Sequence, residues 1–100
     1  VEKSPNVIYV DTDKLTLPLQ LRPWKNGDYF FPMGFNKKKR LSKLFKDEKL
    51  SLVEKSKVML LCSNNQIIWV IGIRQDSRFV PNECTNSISK ISINHAIIKN

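Results

Sequence analysis

The chain has 100 residues, of which 41% are hydrophobic and 9% aromatic, and it carries a net charge of +8. That length makes one domain with one modest core. The composition excludes a disordered polymer, and the lack of a run of about 18 apolar residues excludes a membrane-spanning helix.

The first segment, VEKSPNVIYV, lacks the basic region and apolar run of a signal peptide. The chain starts without Met, which reads as a fragment or a processed product. β-Branched and aromatic residues then predict a strand over Val7–Asp11. LTLPLQLR alternates strictly, with Leu15, Leu17, Leu19 and Leu21 on one face. Pro18 has no N–H for a ladder, so this second strand is expected at an edge or a bulge. Asn26-Gly27 marks a turn, because Gly27 accepts positive φ at little cost. Asp28 is placed to cap that turn with its carboxylate.

The charge is unevenly spread. Between Lys37 and Lys57 stand nine basic and three acidic residues, a net of +6, and the other 79 positions contribute +2. Such a patch attracts polyanions, nucleic acid first among them; the bland alternative is a solvated basic face. Within it Leu41, Leu44 and Phe45 stand at i, i+3 and i+4, the apolar stripe of a short helix. At roughly 100° per residue Lys39, Lys43 and Lys46 fall on the opposite side, with Arg40 on the flank. Ser51 to Glu54 reads as a capping box that starts a second helical turn.

KVMLLC and QIIWVIGI are apolar on both faces, which predicts two central strands. Ser63-Asn64-Asn65 joins them in a hairpin from about Lys57 to Ile73, since asparagine tolerates the left-handed conformation. Trp69 is expected in the core and Trp24 over the core edge, with base stacking the other reading for Trp24. Residues near Ile88–Ile93 predict a last strand. The order is β-β-α-(α)-β-β-β, a small α+β domain in which the sheet dominates.

Chemistry is sparse. No phosphate-cradling glycine loop is present. One histidine, His95, supports no nucleophile-base pair and reads as a surface or packing residue. Cys62 and Cys84 form no CxxC, so no zinc set is expected, and both read as free thiols in a reducing cytoplasm. No catalytic residue and no metal ligand is assigned. Arg74, Asp76 and Arg78 recur at every second position, which in an extended chain puts all three on one side. Either the arginines bind phosphate with Asp76 holding one fork, or the three form a structural ion-pair ladder.

Three stretches in this order carry a resemblance: LRPWKNGDYFFPMG (Leu21–Gly34), KKKRLSKLFKDEKL (Lys37–Leu50) and IIWVIGIRQDSRF (Ile67–Phe79). Together they resemble the C-terminal domain of tRNA(Ile)-lysidine synthase, a family also known as a cell-cycle protein. The likeness runs from roughly Val7 to Ile93. Departures are Tyr29 where the family usually has Arg, no proline after the lysine-rich helix, and a less basic tail.

The resemblance implies the fold this family shares with a module of phenylalanyl-tRNA synthetase. It implies that residues 1–100 form one non-catalytic tRNA-binding domain of a larger enzyme. That enzyme is a cytoplasmic ligase that uses ATP, with magnesium, to join lysine to the wobble cytidine of an isoleucine tRNA. No cofactor is expected in this stretch. The implied partners are the tRNA acceptor stem and the catalytic domain of the same chain, with a homodimer allowed and no membrane. The residues that would grip the tRNA are Arg22, Lys37, Lys38, Lys39, Arg40, Lys43, Lys46, Arg74 and Arg78, supported by Gly27, Asp28 and Asp76. Two other readings stay open: an interaction module that packs on its own enzyme or a partner subunit, and a generic RNA-binding domain.

Overall fold

A computed structural model describes residues 5–35 and 37–93. Its elements are β1 (Val7–Asp11), β2 (Gln20–Pro23), β3 (Tyr29–Phe30), β4 (Lys39–Arg40), α1 (Leu41–Asp47), α2 (Leu52–Ser56), β5 (Met59–Ser63), β6 (Gln66–Val70), β7 (Arg74–Gln75) and β8 (Ile88–Ser92). Short 3₁₀ turns occupy Thr12–Lys14 and Ser77–Phe79. This is the expected α+β, sheet-dominated architecture. His95 lies outside the described residues.

The middle layer is an antiparallel sheet of order β2-β5-β6-β7. β5 and β6 hold its two central places, as their two-sided apolar runs require. Asn64 and Asn65 join them at φ 49° and 67°, the conformation that suits a two-residue hairpin turn. One face of the sheet packs on α1 through Phe30, Leu41, Leu44, Phe45, Leu60, Cys62, Ile67 and Val70. The other packs on the antiparallel ribbon β1-β8 through Ile8, Val10, Leu61, Ile68, Trp69 and Phe79.

A bulge makes the two-faced packing possible. Leu61 pairs with Trp69 and Cys62 with Ile67, so Ile68 has no partner in β5. Ile68 and Trp69 therefore both reach the ribbon side, while Ile67 and Val70 reach the helix side. The Ile68 carbonyl accepts from the Asp76 N–H at 2.8 Å.

α1 follows its stripe: Leu41, Leu44 and Phe45 are fully buried. It ends with Lys49 at φ 57°, the Lys49 N–H donating to Lys46 and the Leu50 N–H to Phe45. This closing geometry usually selects glycine. The Ser51–Glu54 capping box is present in both directions and opens α2. Trp24 covers the core edge, edge-on to Phe45 at 4.9 Å, and its Nε1 donates to the Lys55 carbonyl.

The Leu15–Leu21 alternation is overridden. Only Gln20–Pro23 is strand; Leu15 and Leu19 pack on the ribbon-side core, while Leu17 and Leu21 are 74% and 64% exposed. Pro18 cannot donate, and Thr16 spends its backbone on the Ser63 hydroxyl instead of a strand. The two-residue strands β3, β4 and β7 are additions to the expected order.

Candidate nucleic-acid interface

The Asn26-Gly27 turn places Asp28. Gly27 sits at φ 94°, the Asp28 N–H returns to the Lys25 carbonyl, and the Lys25 N–H donates to Asp28 Oδ2 at 2.7 Å. The carboxylate then receives both terminal nitrogens of Arg22, at 2.9 and 2.8 Å. Two parallel bonds fix the guanidinium plane as well as its position. Burial alone would push the Asp28 carboxyl up, but the hydrogen bonds from Arg22 and Lys25 and their charges outweigh it and hold it below its ordinary value.

A second arginine is fixed in the same way. Asp76 has no exposed surface. Its Oδ1 accepts from the Arg78 N–H and Nε, and its Oδ2 from Arg78 Nη2 and the Phe31 N–H. The Arg78 guanidinium also lies over the Phe31 ring at 4.4 Å. Among the described residues nothing accepts from Arg78 Nη1. Arg22 and Arg78 line one cleft of about 150 Å³, with Gly27, Asp28, Tyr29 and Gln66. Each arginine is matched by its own aspartate, so the cleft offers oriented donors more than net charge.

The net charge lies next door. Lys37, Lys38, Lys39, Arg40 and Lys43 line a groove of about 550 Å³ with Phe35 and Asp47. Asp47 is its one acid. The Lys39 ammonium, with Lys43 and Lys46 farther off, holds the Asp47 carboxyl below its ordinary value. Tyr29 joins the two cavities: it lines the arginine cleft, and Lys38 Nζ stands 4.5 Å over its ring. Arg22, Arg78 and the lysine groove thus form one continuous surface.

Most residues singled out from the sequence meet there. Lys43 and Lys46 point out from α1, opposite the buried stripe. Two placements differ from expectation. Lys39 belongs to β4, before the helix; its side chain is 17% exposed and pairs with Asp47 at 2.6 Å. It is not a free cation on the helix back. Arg74 does not share a side with Arg78. It pairs with Glu48 at 3.4 Å, because the chain turns into a 3₁₀ helix at Ser77 and the alternation ends. Asp76 does hold one fork, that of Arg78. Sequence reasoning missed Phe35 as a groove residue and Tyr29 as the link; their signal was an aromatic at a turn beside a cation run.

Among the described residues no cluster of His, Cys, Asp or Glu could hold a metal ion, and no helix is long and apolar enough to cross a membrane. Cys62 is buried and Cys84 exposed, and they do not pair.

Residues 19–92 match the family described as the TilS substrate C-terminal domain. The chain is 47% identical over 88 residues to tRNA(Ile)-lysidine synthase of Parabacteroides distasonis, covering 88% of this chain and 20% of that protein. It is 38% identical over 78 residues to the enzyme of the same name from Bacteroides thetaiotaomicron, covering 78% of this chain and 18% of that protein. The chain therefore spans about a fifth of the length of these curated relatives. Among solved structures, a crystal structure described as the TILS C-terminal domain superposes with a TM-score of 0.74 at 20% identity, covering 94% of this chain and 75% of that one. An N-terminal fragment of the phenylalanyl-tRNA synthetase beta-subunit from Pyrococcus horikoshii superposes with a TM-score of 0.69 at 15% identity, covering 84% and 26%. At these identities the two structures establish a shared fold.

Proposed function

Because the chain belongs to the family of TilS substrate C-terminal domains, we propose that it is the tRNA-gripping domain of a tRNA(Ile)-lysidine synthase. The parent enzyme would be a cytoplasmic ligase that spends ATP, with magnesium, to join lysine to the wobble cytidine of an isoleucine tRNA. The chemistry would take place elsewhere in that enzyme, and this domain would hold the acceptor stem.

The observation that carries the reading is the continuous surface joined at Tyr29 and Lys38. A-form RNA hides its major groove, so proteins hold it through shape, phosphates and 2′-hydroxyls. The guanidinium N–H groups that the two aspartates leave over, held in fixed orientation, suit phosphate oxygens, and a lysine groove supplies the long-range attraction. Binding energy collected at the stem can orient a distant reacting base.

The opposite need, docking on the catalytic domain of the same chain, has its own candidate residues. Leu52 and Val53 are large, apolar and largely exposed on α2. An interaction module and an RNA grip can occupy different parts of one domain.

The test is a salt titration of tRNA binding. Changing Lys37, Lys43 and Lys46 to Gln should shallow the slope of log K against log salt by roughly two to three units, because each phosphate contact releases close to one counterion. Lys39 is left out because Asp47 already holds it. A triple variant with the parental slope would reduce the charge to a solvated face.

A further inference from the structure

Phe35 is half exposed, at 49%, on a turn whose base is pinned. The Phe35 N–H donates to the Pro32 carbonyl, the Met33 N–H donates to Gln75, and Pro32 bridges to Asp76. Gly34 between them sits at φ 85°. The turn thus presents the ring from a fixed position. One exposed aromatic is ordinary on a protein surface. This one is not placed ordinarily: it forms the apolar wall of a groove lined by five cations, Lys37, Lys38, Lys39, Arg40 and Lys43, with Ser42 and Asp47. Lys39 Nζ, anchored by Asp47, stands 5.7 Å from the ring centroid. Met33, also half exposed, extends the apolar side of the turn.

A duplex has no use for that ring. Its base faces are stacked inside the helix, and its minor groove shows a protein 2′-hydroxyls and base edges, not a face for a ring to stack on. An aromatic face inside a cation-lined groove is the combination that binds single strands: the cations follow the backbone, and the ring stacks on a base. The groove volume of about 550 Å³ lies within the roughly 300–1,000 Å³ of small-ligand clefts. We infer that this groove takes unpaired nucleotides of an RNA strand as it leaves a duplex, with a base stacked on Phe35 and its phosphates against Lys37, Lys38 and Lys43. The inference rests on the RNA-binding reading and sharpens it. The ligand is RNA with a single-stranded end, not duplex alone.

The experiment compares two RNAs of the same sequence at one salt concentration: a blunt duplex, and that duplex carrying a short single-stranded 3′ extension. The parental chain should bind the extended RNA more tightly. Phe35→Ala should erase that advantage, so that the ratio of extended-RNA to blunt-duplex affinity falls roughly 5- to 150-fold, the loss of one stacked base. Phe35→Trp should keep the advantage, and a thermal melt should show all three proteins equally folded, since the ring is outside both cores. An extension that adds nothing, or a Phe35→Ala loss equal for both RNAs, overturns the inference and leaves the duplex grip standing. Failure of the parental chain to bind either RNA overturns the RNA-binding reading itself.

Discussion

Asp76 holds Arg78 through both carboxylate oxygens, at 3.0 Å to Nε and 2.9 Å to Nη2, from a position with no exposed surface. The same carboxylate accepts the Phe31 and Arg78 N–H groups, so one side chain ties the end of β7 to the chain after β3 and starts the 3₁₀ turn at Ser77. The aspartate is thus structural, and through it Arg78 is held in place at the cleft.

Asp76→Ala should cost roughly 2–4 kcal/mol of stability, since it strands two partly buried backbone N–H groups and a partly buried guanidinium. Arg78→Gln should cost less, because the carboxylate keeps its two backbone donors. Both should weaken RNA binding, by loss of the fork in one and of its orientation in the other. Chemical denaturation alongside a binding titration separates them. Equal stability losses would show that Arg78 is held for packing.

The parts that were legible in the sequence are those fixed by local pattern. The stripe of Leu41, Leu44 and Phe45 has helical period, and Asn64-Asn65 accepts the left-handed turn. The parts that were not legible depend on distant partners. β3, β4 and β7 are two residues each and exist because Tyr29 finds Arg40 and Trp69 finds Gln75. Leucine alternation at Leu15–Leu21 was a sound strand signal, outcompeted by the Ser63 hydroxyl bonding to Thr16. The site behaves alike. The cation run was visible, but nothing local places Arg78 beside Arg22, or gives Lys39 to Asp47 and Arg74 to Glu48.

The Arg22–Asp28 pair sets a pH dependence. The Asp28 side chain is 8% exposed, and its carboxyl sits below its ordinary value despite burial. In the unfolded chain an aspartate titrates near about 3.9. Below that pH the unfolded chain binds a proton that the folded chain still refuses, so stability falls. The contribution is complete above about pH 4 and is lost as pH drops through the lower folded value. Asp28→Asn should therefore be less stable than the parent at neutral pH, and the gap should narrow steadily below about pH 4. Denaturation midpoints from pH 7 down to pH 2 measure it. A gap independent of pH would mean that Asp28 acts through turn geometry alone.

Asp47 gives the sharpest test of the groove, because its removal is expected to improve binding. It is the one acid among the groove's cations, and it occupies the Lys39 ammonium at 2.6 Å. A phosphate entering the groove must compete with that carboxylate for Lys39. Asp47→Asn removes the competitor and frees the cation. RNA binding should tighten, and the slope of log K against log salt should steepen by roughly one unit, the counterion released by one added phosphate contact. The pair itself is a surface ion pair, and such pairs add little to stability, so thermal melting should change little. Lys39→Gln in the same background should return the slope to the parental value, which separates a freed Lys39 from a general rise in positive charge. An Asp47→Asn variant with unchanged slope and affinity would show that RNA passes Lys39 by, and that the grip is confined to the arginine cleft and the outward face of α1.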